Sequence, residues 1–196
     1  MFPQRAMMDT VLGLIVGIGL SAACGFRIFV PLLGMGLAAL SGHLSLSSGF
    51  EWIGSWPAVV AFATATLIEV GAYYIPWIDN LMDTIALPAA VVAGMLVTAS
   101  QLGNLSPFLK WSLALIAGGG AAGVVQAGTS WLRGTSSIAS GGITNPLVST
   151  GELVGAVLTT ALAIIIPIVC LFLVGALCIL IVRELATRGR PPHPKM

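Results

Sequence analysis

TVLGLIVGIGLSAACGFRIFVPLLGMGLAALS, residues 10–41, is a run of 32 residues that carries a single charge, Arg27. The hydrocarbon core of a bilayer takes about 20 helical residues, each rising ~1.5 Å. The run is therefore too long for one straight crossing. Pro31 has no amide hydrogen to donate, and its ring clashes with the carbonyl four residues earlier, that of Arg27. A bend or break near residues 25–31 is expected, with a guanidinium beside it. An ionisable group in hydrocarbon costs at least ~2.5–3.5 kcal/mol on insertion scales, so it normally faces a protein interior or a water-filled cavity. Glu69 and Glu152 raise the same question in two later apolar stretches.

Composition agrees with this reading. Hydrophobic residues make up 57% of the 196 and charged residues only 8%, with a mean hydropathy of +1.03. Soluble domains average about 25% charged residues, so this chain could not cover a soluble surface. The 24 glycines suit helices that pack closely in a membrane. The net charge of +1 points to no nucleic acid. Cys24, Cys170 and Cys178 are odd in number and lie in apolar runs, which fits small packing residues and argues against a disulfide framework.

The expected architecture is an all-α, polytopic transmembrane bundle: six spans in two inverted three-helix halves, with a broken first helix. Residues 1–196 form one membrane domain, with repeat halves 8–103 and 107–187 and a disordered basic tail over 188–196. After the first run, 42–56 is a polar loop with Trp52 and Trp56 as headgroup anchors. Spans follow over Pro57–Ile75, Thr84–Gln101 and Phe108–Trp131. WIDNLMD, 77–83, reads as a turn and RGTSSIASGGITNP, 133–146, as a polar segment. The stretch 147–187 is either two spans divided at Pro167 or one kinked helix.

Arg5 precedes the first span, and Arg183, Arg188, Arg190 and Lys195 follow the last. The positive-inside bias then places both termini in the cytoplasm, which needs an even number of crossings. Lys110 is the one basic residue left outside. No secretory signal with its cleavage site is evident. The expected location is the plasma (inner) membrane. Two X-Pro helix openings, Trp56-Pro57 and Asn145-Pro146, each lead to an aliphatic-Pro exit, at Pro76 and Pro167. That echo suggests an inverted repeat of the kind transporters use. The charges do not follow it: Glu69 falls opposite Thr160.

The candidate solute-binding or ion-coupling residues are Arg27, Glu69, Glu152, Arg133 and Asn145. Arg27 either binds an anion or closes an ion pair. Glu69 is either a proton- or cation-binding carboxylate or the counter-ion of Arg27. Glu152 follows Asn145-Pro146 within two turns, so it is either a midplane site or a first-turn acid of its helix. Arg133 heads a cluster with Thr135, Ser136, Ser137, Ser140, Thr144 and Asn145, which is either a re-entrant binding loop rich in glycine or an ordinary polar loop. Asp79 and Asp83 read as a helix cap or a cytoplasmic mouth. A Ser-His-Asp set, HExxH, GxSxG and P-loop are all absent, so no enzyme is expected. No metal or other cofactor is expected either. The expected partners are membrane lipids, an unidentified small solute and, with room for it, a second copy of the chain as a homo-oligomer.

Two longer segments carry a resemblance. GLSAACGFRIFVPLLGMGLAA, 19–39, and IEVGAYYIPWIDNLMDTI, 68–85, resemble the two signatures of small bacterial inner-membrane proteins grouped as Domain of Unknown Function 4126, and the Asn145-Pro146…Glu152 segment fits the C-terminal half of that family. By this likeness Arg27, Glu69, Asp79, Asp83 and Glu152 match charged positions of the family. The chain departs from it at Tyr73-Tyr74, where more polar residues are expected, and at Leu87, where a basic residue is usual. The resemblance implies no activity. The residues themselves point first to a small secondary transporter or channel-like protein for an anionic or proton-coupled solute. The alternative is a non-transporting membrane protein that binds lipid or a protein partner, with its charges paired for structure.

Overall fold

The computed structural model describes residues 2–103, 105–141 and 143–188, with the side chains of residues 2, 3, 76, 77, 79–81, 83 and 188 outside the description. The expected tail beyond Arg188 and Gly142 of the polar segment also lie outside it. Every element described is helical: α1 Phe2–Cys24, α2 Phe29–Leu40, a short 3₁₀ turn Glu51–Gly54, α3 Trp56–Ala72, α4 Pro76–Gln101, α5 Pro107–Leu113, a π segment Ala114–Gly119, α6 Gly120–Ser140, α7 Asn145–Ile165 and α8 Pro167–Arg188.

The break in the first run falls at Gly25–Ile28. The amides of Gly25 and Phe26 bond back to the carbonyls of Ala22 and Ala23 at 3.0 Å, which tightens and ends α1. Pro31 then sits in the first turn of α2, where a missing N–H costs nothing. Gly25 is needed for a second reason. A Cβ there would stand 2.5 Å from the carbonyl oxygen of Ala122 and 2.6 Å from Val125 Cβ, so only glycine lets α1 approach α6 this closely.

Three boundaries differ from expectation. Residues 77–83 are the opening turns of α4, because Pro76 is well placed at a first helical position and nothing stops the helix before Pro88, which the 26-residue helix absorbs. Residues 133–140 continue α6 as helix. Thr135 and Ser140 bond back to the carbonyls of Trp131 and Ser136, at 2.9 and 2.8 Å, and Gly134 alone does not break the helix. The helix stops only at Gly141, whose φ of 63° is the left-handed conformation glycine permits. The re-entrant loop is therefore absent from 133–140. The stretch 147–187 is two helices, α7 and α8, folded back on each other, with the Cys170 thiol 3.6 Å from the carbonyl of Thr159.

Cross-helix contacts fix the directions. Gly13 and Gly17 of α1 face Gln101 and Thr98 of α4, so these helices are antiparallel. Gly118 and Gly123 face Thr98 and Val91, so the α5–α6 rod runs with α1. Gly19 faces Ala163, and Gly155 faces Phe26, so α7 opposes α1; Gly19 also meets Cys170 and Gly128 meets Ile181, so α8 runs with α1 and α6. α2 returns from Arg27 to Met35, which receives bonds from Ser100 and Gln101, and α3 comes back to Glu69 beside Ile28. Five helices are long and apolar enough to cross a membrane: α1, α4, the α5–α6 rod, α7 and α8. The shorter α2 and α3 complete seven alternating runs. Phe2 and Arg188 thus come out at opposite ends of the bundle, because the break at Gly25 reverses the chain rather than bending it.

The bundle is inside-out by soluble standards. Leu67, Ile116, Ile165 and Phe172 are each more than 70% exposed, while Ser21, Thr98 and Ser100 are fully buried. Ser21 donates to the carbonyl of Gly94 at 2.6 Å and pairs with Thr98 at 2.8 Å, tying α1 to α4 across a glycine-lined seam. All three cysteines are free thiols inside or beside the core.

Candidate functional site

Four charged side chains converge at the α1–α2 break. Arg27 comes from the break itself, Glu69 from α3, Arg133 from α6 and Glu152 from α7; each is 5% exposed or less. Two guanidiniums face two carboxylates, so the group is formally neutral. Burial of this kind is tolerated only when every charge finds opposite charge or hydrogen bonds.

Glu152 lies at the centre. Arg133 grips it with two bonds, Nε to Oε1 at 2.8 Å and Nη2 to Oε2. Arg27 Nη2 is 3.3 Å from the same Oε2. Ser149, one turn before Glu152 on α7, accepts from Arg27 Nη2 at 2.8 Å through its hydroxyl and at 3.0 Å through its carbonyl. Tyr73 of the α3–α4 turn lies under both arginines, with guanidinium carbons 3.9 and 4.0 Å from the ring centroid.

Glu69 does something else. Its two oxygens accept from the amides of Ile28 and Phe29, at 2.8 and 3.0 Å. It therefore caps the N-terminus of α2, where unpaired amides and the helix dipole favour negative charge. The acidic partner of Arg27 is Glu152, not Glu69 as the first choice from sequence. Arg27 Nε and Nη1 and the hydroxyl of Thr160 are buried with no hydrogen-bond partner among the described residues.

The other candidates lie apart from this core. Asn145 opens α7 and exchanges bonds with the hydroxyls of Ser136 and Ser137, at 2.9 and 3.1 Å, in a knot that also holds Ser140 and Thr144. Asp79 and Asp83 fall in the opening turns of α4, and their side chains lie outside the described residues. Lys110 donates to the Ser47 hydroxyl at 2.9 Å, at the far end of the bundle. A mixed polar cleft of about 490 Å³ opens at that end between Asp9, His43, Ser45, Ser47 and Gln101. A second groove, about 470 Å³ and largely apolar, reaches Glu152 from the side past Phe26, Thr129 and Leu147.

Ser149 was not singled out from sequence, and Tyr73 only as a departure from the family's pattern. The signal was present: Tyr73 is four residues after Glu69, and Ser149 three before Glu152, the spacings that share a helix face.

Apolar helices turned outward around a neutral cluster of buried charges define a multi-pass helical membrane protein with a polar interior. The model of the family described as Domain of unknown function (DUF4126) matches residues 14–187, and the chain belongs to that family. No curated protein and no solved structure matches it.

Proposed function

We propose that the protein is a small secondary transporter or channel-like protein of the inner membrane, and that the Arg27–Glu69–Arg133–Glu152 core is where it handles a small solute. The observation that carries this is the helix break. A half-helix begins inside the bundle, its first amides meet a carboxylate, and the arginine before it keeps two donor nitrogens unbonded among the described residues. Interrupted helices that present their termini to charged groups are the usual way such proteins build a solute site. Two further features support the reading. The hairpins α3–α4 and α7–α8, which share the X-Pro opening and Pro exit, run in opposite senses, as inverted repeats do. Between the polar cleft and the charged core lie buried Gln101, Ser100, Thr98 and Ser21, a file of hydroxyl and amide groups along α1 and α4.

On this reading, the low exposure of all four charges corresponds to a closed state. The end holding Arg133, Arg183 and Arg188 is taken as cytoplasmic, by the positive-inside bias. Its partners are membrane lipids and the solute, and no catalysis or cofactor is invoked.

The second reading, a non-transporting protein that binds lipid or a partner, is favoured by the bidentate Arg133–Glu152 pair, the geometry of a static structural tie. Uptake separates the two. Wild type and Glu69→Gln are reconstituted in proteoliposomes and assayed over a solute panel with and without a pH gradient. Transport predicts wild-type flux for some solute, lost in Glu69→Gln while melting stays near wild type. Absence of flux throughout, with melting lowered in Glu69→Gln by the weakened cap on the Ile28 and Phe29 amides, leaves the structural reading standing.

A further inference from the structure

Glu69 is the one member of the charged core whose hydrogen bonds all go to backbone. We infer that its carboxylate stands in for a small monovalent oxyanion or carboxylate, and that the N-terminus of α2 with Arg27 is the anion site it vacates. This rests on the transport reading above and names its class of solute.

Two independent observations meet here. The first is the cap itself: each carboxylate oxygen takes one amide, from Ile28 and from Phe29, an arrangement any two-oxygen anion can reproduce. The second is Arg27, the residue just before the Ile28 N-cap of α2, which is 2% exposed with Nε and Nη1 unpartnered among the described residues. A guanidinium that has spent one nitrogen on Ser149 and Glu152 still has two with which to hold an incoming anion. Glu152 cannot play the same part, because both arginines hold it.

Charge balance then fixes what accompanies the anion. The core is neutral with two arginines and two carboxylates. An added anion leaves it at −1, unless Glu69 takes a proton as it gives up the two amides. A protonated carboxyl accepts poorly from both amides, so protonation and release go together. One proton thus enters with each monovalent anion, and no bond other than O–H forms or breaks. Among the described side chains, the ionisable groups on elements around Glu69 are Cys24 of α1, Arg27, Tyr73, Arg133 of α6 and Glu152 of α7. Glu152 is held by Arg133 and by Nη2 of Arg27, which leaves Glu69, bound by two backbone amides alone, as the carboxyl able to exchange.

The test uses the full chain in detergent, with sodium acetate and sodium nitrate as probes and bulky sodium gluconate holding ionic strength constant. Glu69→Ala empties the terminus. Acetate should then raise its melting temperature with a midpoint at least about tenfold lower than for wild type. Glu69→Ala/Arg27→Met should lose that gain. Equal midpoints for wild type and Glu69→Ala, or an undiminished response in the double variant, overturn the inference. Should Glu69→Ala not fold, wild type decides: in weak buffer, acetate binding should take up close to one proton per chain, and binding without uptake overturns it. Anion binding with no flux of any solute would sink the transport reading alone. Flux of a solute with which neither acetate nor nitrate competes would sink this inference alone.

Discussion

Replacing Glu152 by glutamine keeps the side chain's size and removes the one charge that both arginines share. In the folded protein Arg133 makes two bonds to it, Arg27 Nη2 stands 3.3 Å away, and the side chains of both arginines and of Glu152 are at most 4% exposed. The substitution leaves two buried guanidiniums against Glu69 alone. Breaking a buried pair by removing one partner costs about 3–5 kcal/mol. The glutamine carbonyl can still accept one bond, which puts the cost near the lower end, about 3 kcal/mol. For a chain of this length that is a fall of about 6–12 °C in melting temperature. The assay is thermal unfolding in detergent, followed by tryptophan fluorescence. The double variant Arg133→Met/Glu152→Gln returns the core to one arginine and one carboxylate. It should melt above the sum of the two single losses, with a coupling of about 1.5 kcal/mol or more. A Glu152→Gln protein melting within about 2 °C of wild type, or strict additivity in the double variant, would refute the claim that these charges are desolvated and mutually paired.

Gly25→Val should abolish the approach of α1 to α6 and lower melting sharply, at a cost of at least ~1–3 kcal/mol for overpacking, whereas Gly71→Ala, whose added Cβ meets nothing within 4 Å, should melt at or slightly above wild type. Equal behaviour of the two glycines would contradict the packing described. Reporter tags at the two ends of the chain should signal from opposite sides of the membrane, the C-terminal one from the cytoplasm; signals from the same side would contradict the seven alternating runs.

The fold was partly legible because proline and hydrophobic length act locally. Pro31 and the 32-residue run announced the break, and Pro167 divided α7 from α8. The direction of α2 was not legible. Whether a break bends or reverses a chain depends on what receives it, here Ala122 and Val125 against Gly25 and Glu69 against Ile28. The end of α6 was misplaced because serine and threonine favour turns when read alone, yet bond back to their own helix when it is packed. For the site, insertion cost alone picked out Arg27, Glu69 and Glu152. Their pairing was hidden, since the contact between α6 and α7 that joins Arg133 to Glu152 depends on how the chain returns after α6 ends at Gly141. Asn145 drew notice for its polarity and serves that turn instead.

The claim that this core is a solute site, closed in the structure, is tested most directly at Ser149, whose hydroxyl touches Arg27 and which is 1% exposed. Ser149→Cys, in a protein whose Cys24, Cys170 and Cys178 have been replaced by alanine, places a thiol of similar size at the centre. Proteoliposomes are treated with a membrane-impermeant thiol reagent from either side. A core that opens predicts modification from both faces, at rates that change with acetate or pH. A thiol that reacts from neither side in the intact fold, and only after detergent unfolding, would contradict it.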